Sequence, residues 1–329
     1  MSSNNLIIFL LGVPMKYICS LLLITFSLLS LSCGSNAGKI KIGILQLVEH
    51  DALDASYRGF VDGLKEAGYE DGKNIIIDYQ NAQGEQANCI TIGQKFINDK
   101  SDLILAIATP AAQAVANMTK DIPILITAVT DPADSKLVND NNAPGGNVTG
   151  TSDLTPVESQ IELLTEITPN LKTVGLLYCS SEQNSVFQIN MAKRKLDSMG
   201  IKHIDLTVSN PNEIQQVLQS AIGKVEAVYT PTDNMIAAGM ATVALVAEPA
   251  KLPVVCGEGG MTRLGGTATY GISYYELGKL TSTQAVSILK GEKNPAEMPI
   301  EYLQKFDLIV NTNMVEAIGL TIPESLYNQ

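Results

Sequence analysis

Short apolar runs alternate along the chain with longer segments in which apolar residues recur every three to four positions. The runs predict buried strands, and the longer segments predict amphipathic helices. Strands that alternate with helices of about ten to fifteen residues favour a parallel sheet covered on both faces. The predicted strands are 39–45, 74–79, 102–108, 122–128, 173–178, 202–208, 227–230 and 253–255, and the predicted helices are 55–67, 86–98, 110–118, a short one from about 132, 156–167, 186–199, 211–221 and 234–247.

This alternation runs twice. The strand predicted at 173–178 resembles the opening strand at 39–45 in length and register, and the same strand–helix units follow each of them. We therefore expect an α/β protein with two similar lobes, each a doubly wound parallel sheet. The glycine-rich segment 145–150 lies between the two runs and is a candidate crossing strand or hinge. Segments 268–273 and 306–311 are candidates for further crossings.

The first residues predict export from the cytoplasm. A basic start at Lys16, an apolar run over 17–31 and small residues around Cys33 follow the order of an export signal. The run is too short and too rich in serine for a membrane-spanning helix, although an uncleaved membrane anchor stays open as an alternative. We assign 1–32 to the export signal and 33–38 to a polar tether.

Cys33 resembles the lipid-modified cysteine of bacterial lipoprotein signals, so we expect a lipid anchor there. Such signals prefer leucine at the third position before the cysteine, where this chain has Ser30 with Leu29 beside it. No residue before Met15 is charged, which leaves Met1 and Met15 as alternative translation starts. With either start, the body of the protein is expected outside the cytoplasm, periplasmic or anchored to the bacterial cell membrane.

Composition and charge exclude several functions. A chain of 329 residues, 45% of them hydrophobic, is long enough for two lobes with separate cores. Its net charge of −12 and the lack of any basic stripe argue against a nucleic-acid partner. The sequence contains no Gly-x-Ser-x-Gly, P-loop, dinucleotide-binding glycine fingerprint or Cys-x-x-Cys, so we predict neither catalytic residues nor a cofactor.

The cysteines and histidines do not form a metal-binding pattern. Cys89, Cys179 and Cys256 are widely spaced and have no metal-ligand spacing, so we interpret them as small buried hydrophobes. His50 and His203 are the two histidines of the chain. We therefore predict no metal site.

Polar residues at the ends of the predicted strands are the candidate ligand contacts, because parallel α/β sheets bind ligands beyond the carboxyl ends of their strands. His50 lies in the loop after the first strand. Thr109 precedes Pro110 at a predicted helix start, where free N–H groups can hold an anion. Thr130 has a similar setting before Pro132. The alternative is that both threonines only cap their own helices.

The second half of the chain offers an acid and several neutral groups at equivalent positions. Asp233 and Asn234 follow the strand at 227–230, and a partly desolvated carboxylate there would hold a ligand ammonium. The alternative is that Asp233 is a helix N-cap. Glu258 is a second acidic candidate, and the 178–184 loop supplies neutral polar candidates. Those candidates are Ser180, Ser181 and Asn184.

Eight short stretches occur in one order over residues 39–326, and together they resemble a known family. They are His50-Asp51-Ala52-Leu53-Asp54, Ile77-Asp78-Tyr79-Gln80-Asn81-Ala82-Gln83-Gly84, Ala108-Thr109-Pro110-Ala111-Ala112-Gln113, Val129-Thr130-Asp131-Pro132, Gly146-Asn147-Val148-Thr149-Gly150, Thr230-Pro231-Thr232-Asp233-Asn234, Tyr270-Gly271-Ile272-Ser273-Tyr274-Tyr275-Glu276-Leu277-Gly278 and Gly319-Leu320-Thr321-Ile322-Pro323. The resemblance is to tryptophan/phenylalanine-type (TrpX-like) substrate-binding proteins of ABC transporters.

The resemblance implies a type I periplasmic-binding-protein fold, in which three crossings join the lobes and the ligand lies between them. With it we expect lobe 1 at 39–155 plus 268–300 and lobe 2 at 156–267 plus 301–329. It also implies an importer that binds an amino acid, aromatic in the best-known members, and passes it to an ABC permease. We expect the protein to act as a monomer.

The resemblance also implies roles for individual residues. Thr109, Ala111 and Thr130 are expected near the ligand carboxylate, and Asp233 near its ammonium. Glu258 stands where the family is expected to have an aspartate. The chain has no tryptophan to stack on an aromatic ligand, which leaves three aromatic residues as candidates for that contact. These are Tyr178, Phe187 and Tyr275.

Other functions stay open on the sequence alone. A binder of sugars or nucleosides would share the fold, as would a ligand sensor without transport. An exported enzyme would turn over the solute that it binds. A LacI-type regulator would begin with a helix-turn-helix, and here an export signal is predicted at that position.

Overall fold

The computed structural model describes residues 38–328. The predicted export signal, most of the tether, the candidate lipidation site Cys33 and the alternative start Met15 lie outside these residues. The strands are β1 (Ile40–Gln46), β2 (Ile75–Asn81), β3 (Leu103–Ile107), β4 (Ile124–Val129), β5 (Val148–Ser152), β6 (Thr173–Cys179), β7 (Lys202–Val208), β8 (Ala227–Thr230), β9 (Val254–Cys256), β10 (Ala268–Gly271), β11 (Glu301–Tyr302) and β12 (Asp307–Val310).

The α-helices are α1 (Asp51–Glu66), α2 (Gln86–Asn98), α3 (Thr109–Ala116), α4 (Val157–Ile167), α5 (Gln183–Ser198), α6 (Ile214–Ala221), α7 (Asn234–Ala238), α8 (Met240–Ala247), α9 (Gly259–Arg263), α10 (Tyr274–Leu289) and α11 (Thr312–Ile318). Short 3₁₀ turns occur at Pro211–Glu213, Pro295–Glu297 and Glu324–Asn328. None of the helices in the described part of the chain is long and apolar enough to cross a membrane.

Two six-stranded sheets form the two lobes, as predicted. The first has the order β11-β5-β4-β3-β1-β2, and the second has the order β12-β10-β9-β8-β6-β7. Every neighbouring pair is parallel except β10 and β12, which are antiparallel. Residues 103–107 and 124–129 are buried along their full length, which requires cover on both faces of the first sheet.

Three crossings join the lobes, at 153–156, 272–273 and 303–306. Two of the expected lobe boundaries are therefore wrong. Residues 268–271 form β10 of the second sheet, because the short connection from the preceding helix leaves β10 beside β9. Residues 301–302 form β11, which pairs with β5 in the first sheet before the chain crosses.

Three local predictions also need correction. Helix α1 begins at Asp51 rather than 55, with Asp51 and Asp54 favourably placed in its first turn. No helix starts at 132, because Asp131 Oδ1 accepts the backbone N–H groups of Ala133 and Asp134 and stabilises turns instead. The helix predicted over 234–247 is broken into α7 and α8 at Gly239.

Helices α1 and α10 pack with their backbones in close contact on the first lobe. A Cβ atom on Gly59 would overlap the Tyr275 carbonyl, and one on Gly278 would overlap the Ser56 carbonyl. This contact fixes the start of α10, at the second crossing, against α1. Helix α1, whose first turn faces the second lobe, is thereby held against the hinge.

The cysteine interpretation is confirmed. Cys89, Cys179 and Cys256 are buried and free, and the part of the chain that the structure describes has no cluster of three His, Cys, Asp or Glu residues suited to a metal ion.

Candidate ligand site between the lobes

Side chains from both lobes surround a small cavity, about 10 Å³ in volume, beyond the carboxyl ends of the sheets. Each sheet reverses its strand order at one point, between β1 and β3 or between β6 and β8, and open α/β sheets bind ligands at such switch points. The lining residues are His50, Leu53, Ala128, Asp153 and Tyr274 from the first lobe and its crossings, and Thr232, Asp233, Asn234, Ala237, Glu258 and Met261 from the second lobe. This described lining includes neither lysine nor arginine.

Asp153 offers an unpaired carboxylate oxygen in this cavity. The residue opens the first crossing and is 3% exposed. Its Oδ2 accepts a hydrogen bond of 2.7 Å from the Tyr274 hydroxyl, whereas its buried Oδ1 has no hydrogen-bond partner. Burial raises the pKa of Asp153, and the hydrogen bonds from Tyr274 and Thr130 act in the opposite direction. A buried unpaired acceptor of this kind carries a free-energy cost that a bound donor removes.

His50 and Asn234 join the lobes across the cavity. His50 Nε2 lies 3.3 Å from Asn234 Oδ1, and burial lowers the pKa of His50, so its ring is neutral near pH 7. The Asn234 Nδ2 group donates to Oε2 of Glu182 at 2.5 Å. Burial and the neighbouring carboxylate of Asp233 raise the pKa of Glu182 to about 8. His50 Nδ1 is buried and has no partner.

Asp233 and Glu258 line the cavity, but backbone N–H groups already occupy their carboxylates. Asp233 caps α7 by accepting from Ile236 N at 2.9 Å through Oδ1, and its Oδ2 accepts from Cys179 N at 2.6 Å. Glu258 caps α9 by accepting from Gly260 N and Met261 N. Their oxygens hold the second lobe's loops in place, and this arrangement favours the helix-cap role for Asp233.

Thr109 does not cap its helix. It is the first residue of α3, Ala108 is the N-cap, and no side chain caps this helix. The Thr109 hydroxyl is buried without a partner. Ala108 and Ala128 have φ values of 87° and 54°, and such left-handed backbone is costly for a residue with a Cβ. This strain lies where the two strands end, and Ala128 lines the cavity. Ala111 is buried in the first turn of the same helix, and neither Thr109 nor Ala111 lines the cavity.

Thr130 faces the second lobe rather than a helix of its own. Its Oγ1 is 3.3 Å from Thr232 Oγ1 and also 3.3 Å from Gln188 Nε2. Asn184 supports the same loop by donating to the Thr232 carbonyl at 3.0 Å, while its Oδ1 is buried and unpaired. These contacts place both predicted residues beside the cavity.

Several predicted contacts lie elsewhere. Ser181 is exposed, and its hydroxyl contacts Cys179 Sγ at 3.1 Å. The hydroxyls of Tyr178 and Tyr275 face Asp205 and Asp62 on the surface, and Phe187 does not line the cavity. The aromatic ring that does line it belongs to Tyr274.

Sequence reasoning missed Asp153, Tyr274, Glu182 and Gln188. Asp153 lies between the strand β5 and the helix α4, so its position at a strand end was a usable signal, but the preceding segment 145–150 was interpreted as a crossing or hinge rather than as a strand of the sheet. Glu182 lies in the 178–184 loop, from which the sequence predicted the neutral polar residues instead. Gln188 and Tyr274 are helical residues that carry no such signal, because only the packing of the lobes brings them to the cavity.

The lobes are closed on one another in this structure. Besides the contacts of His50 and Thr130, Gln113 Nε2 donates to Gln183 Oε1 at 2.9 Å across the cleft. Two α/β lobes with matching topology, three crossings and an enclosed polar cavity define a solute-binding protein of the type I periplasmic class. The chain belongs to the ABC transporter substrate-binding protein family, whose profile matches residues 41–329.

Three relatives make the comparison more specific. A "tyrosine-binding protein" from Clostridioides difficile is 40% identical over 85% of this chain and 81% of its own length. A Streptococcus pneumoniae structure, described as an ABC domain in complex with L-Trp, has a TM-score of 0.85 and 39% identity over 88% of this chain and 98% of that chain. The ligand-free, open structure of a Clostridium difficile substrate-binding protein with adhesive properties has a TM-score of 0.67 and 44% identity over 87% and 96%.

The open Clostridium difficile structure has the higher sequence identity to this chain but the lower TM-score. Sequence divergence therefore does not explain its lower TM-score. A different arrangement of the lobes does, in agreement with the closed lobes of this structure. Family membership makes this chain a transporter substrate-binding protein and not an enzyme. Its place of action is extracytoplasmic, as for the substrate-binding proteins of ABC importers generally.

Proposed function

We propose that this protein binds an aromatic L-amino acid of the tyrosine or tryptophan class and delivers it to an ABC permease. The observation that carries the proposal is the unpaired Oδ1 of Asp153 in a closed cavity whose charged groups are all carboxylates. Such a cavity favours a cation, and an amino acid supplies one as its ammonium. The names of the relatives support the same ligand class.

Asp153 rather than Asp233 is our choice for the ammonium. Both residues are buried in the same cavity, but each oxygen of Asp233 accepts a backbone N–H group and Oδ1 of Asp153 accepts none. Charge-assisted hydrogen bonds of a carboxylate to an ammonium are about twice as strong as neutral ones.

The start of α3 is our choice for the ligand carboxylate. Its first-turn N–H groups form an anion-binding helix terminus, and the unpaired Thr109 hydroxyl beside them is a further donor. The ammonium and carboxylate sites then lie at the ends of β5 and β3, which flank β4: Asp153 N bonds to Val129 O at 3.3 Å and Ala108 N bonds to Thr127 O at 3.1 Å.

The apolar part of the lining fits the aromatic side chain. Leu53, Ala237 and Met261 contribute it, and a methionine sulfur makes favourable contacts with an aromatic ring. The cavity volume in this closed structure is about 10 Å³, so room for an amino acid requires the lobes or the lining side chains to move apart from their positions here.

Isothermal titration calorimetry over a panel of L-amino acids, nucleosides and sugars tests this function. We expect L-tyrosine or L-tryptophan to bind in the micromolar range or tighter, and their decarboxylated and deaminated analogues to bind far more weakly. Binding of a sugar or nucleoside with no amino-acid binding would overturn the proposal.

We also propose that Cys33 is lipidated and anchors the mature chain to the membrane. The support is the position of a cysteine directly after an export-type sequence. The Cys33→Ala variant should appear in the soluble fraction and should not incorporate labelled palmitate. The Cys19→Ala variant, changed within the apolar run, should stay in the membrane fraction and incorporate labelled palmitate. Equal anchoring of the two variants would instead support an uncleaved membrane segment.

A further inference from the structure

A chain of hydrogen bonds runs from the second lobe to His50 in the first. Glu182 Oε2 accepts from three N–H donors, the side-chain amide of Asn234 at 2.5 Å, the backbone amide of Asn234 at 3.2 Å and the side-chain amide of Asn184 at 3.1 Å. At the other end, Asn234 Oδ1 lies 3.3 Å from His50 Nε2. Glu182 and Asn234 are both buried, so water does not compete for these bonds.

This series of hydrogen bonds determines which atom of each group is the donor. Glu182 Oε2 already accepts the backbone N–H of Asn234 and the side-chain amide of Asn184, so a proton bound by this carboxyl group lies on Oε1, and the adjacent Asn234 side chain presents its NH₂ group to Oε2. The amide oxygen of Asn234 is then turned towards His50. An amide oxygen cannot donate, so His50 Nε2 must carry the proton.

The tautomer has a consequence at the other ring nitrogen. A neutral imidazole has one N–H, so Nδ1 of His50 is left as an acceptor. That atom is buried without a partner, as is Oδ1 of Asp153, and both residues line the same cavity. An ammonium has three N–H donors and no acceptor, which matches a site with two unpaired acceptors.

We infer that Glu182 and Asn234 are positioning residues that hold His50 in the Nε2–H tautomer, so that Nδ1 becomes a second acceptor for the ligand ammonium beside Asp153. This inference rests on the proposed amino-acid function. Because Glu182 and Asn234 belong to the second lobe and His50 to the first, the tautomer is set when the lobes close. The full ammonium site is therefore assembled by closure itself.

The arrangement explains how the protein selects a free amino group. A ligand with a hydroxyl or N-acyl group at this position cannot satisfy both acceptors, and a deaminated ligand satisfies neither. Each buried acceptor left unpaired costs affinity. The penalty arises in the closed state, so such ligands disfavour closure as well as binding.

Nitrogen NMR of the histidine rings reads the tautomer directly. The chain has two histidines, so the His203→Gln variant assigns the His50 signals. In protein saturated with L-tyrosine, we expect His50 with a protonated Nε2 and an Nδ1 shift typical of a hydrogen-bond acceptor. Calorimetry on the same samples gives the affinity ratio of L-tyrosine to its deaminated analogue, 3-(4-hydroxyphenyl)propionate.

Three variants separate positioning from mere stability. Asn234→Leu removes the oxygen that fixes the ring, so the His50 tautomers should mix and the affinity ratio should fall by about tenfold or more. Asn234→Asp places a carboxylate against His50 and should give a ring protonated on both nitrogens. Glu182→Leu removes the acceptor that orients the Asn234 amide, so it should mix the His50 tautomers and lower the ratio as Asn234→Leu does.

The outcomes distinguish this inference from the proposed function. If wild-type protein binds L-tyrosine but His50 carries its proton on Nδ1, or if Asn234→Leu leaves the affinity ratio unchanged, the positioning role is wrong and the amino-acid function stands. If the wild-type protein binds no amino acid, the proposed function fails and this inference fails with it.

Discussion

The Tyr274 hydroxyl donates a 2.7 Å hydrogen bond to Asp153 Oδ2, and this bond joins the first crossing between the lobes to the start of α10 at the second. The other oxygen of Asp153 is unpaired in the cavity. One carboxyl group therefore links a hinge contact to the proposed ammonium site. At the proposed site, a ligand bound to Asp153 would act on the hinge, where lobe closure of this kind takes place.

Replacing Asp153 by Asn should impair ligand binding. The Asn oxygen can still accept from Tyr274, which turns the NH₂ group towards the ammonium and removes the negative charge. We expect affinity for L-tyrosine to fall by about 2–5 kcal/mol, the range for breaking a buried charge pair, as measured by calorimetry. Asp62→Asn is the matched control because Asp62 accepts from Tyr275 at 3.0 Å on the surface. Equal affinities for the two variants would remove Asp153 from the site.

Replacing Asp233 by Ala should impair folding more than binding. The change removes the cap of α7 and leaves the buried N–H of Cys179 without a partner. Together these losses should lower the free energy of unfolding by about 2–4 kcal/mol in urea titrations. Asp197, an exposed partner of His203, provides the control Asp197→Ala. A large loss of affinity at unchanged stability would instead assign the ammonium to Asp233.

Affinity should fall as the pH drops below about 6.5, the ordinary pKa of histidine. Burial lowers the pKa of His50, so the folded protein keeps the ring neutral until the pH lies below that value. Protonation then places a proton on Nδ1, in competition with the ligand ammonium. Asp51, Asp54, Asp153, Asp233, Glu258 and Tyr274 are the other titratable groups that surround the ring or line the cavity with it. Calorimetry between pH 4.5 and 8 checks this, with His203→Gln as control; a flat profile would contradict it.

The contribution of Glu182 to stability should fall as the pH rises from about 4.5 through about 8. The pKa of Glu182 is raised to about 8 by burial and by Asp233, so in this window the folded protein binds a proton that the unfolded chain does not. Stability therefore decreases with pH. Urea unfolding of Glu182→Gln, which cannot titrate, should show a flatter profile than wild type over the same range. An identical slope in both proteins would exclude Glu182 as the titrating group.

Replacing Gly260 by Ala should hinder closure without touching the proposed ligand contacts. The added Cβ would lie 2.9 Å from Asp51 Cβ on the opposite lobe and 3.0 Å from the Glu258 oxygens. Small-angle X-ray scattering should show a smaller ligand-induced decrease in the radius of gyration, with weaker L-tyrosine binding. Gly146→Ala is the control, because a Cβ there meets nothing within 4 Å. A wild-type response from Gly260→Ala would show that this close approach does not limit closure.

Much of the fold could be predicted from the sequence. The strands at 202–208 and 227–230 were predicted with their observed bounds, because apolar character and flanking turn residues are local properties. The boundaries between the lobes could not be predicted as well. Nothing local distinguishes a strand that crosses from one that stays, so β10 was assigned to the wrong lobe. Its position depends on pairing with β9 and β12.

The sequence by itself determined the paired α/β lobes and the strand-end loops that supply the cavity, because these depend on periodicity and chain order, and its short motifs carried the resemblance that indicated the class of protein. The tertiary structure decided which acid in those loops is free. Asp153 and Asp233 both follow strands, and their difference comes from distant partners. Cys179, 54 positions away, donates its backbone N–H to Asp233 Oδ2. Tyr274, 121 positions away, donates its hydroxyl to Asp153 Oδ2, and Asp153 Oδ1 is left unpaired. Hydrogen bonds between residues so far apart in sequence exist only once the chain has folded.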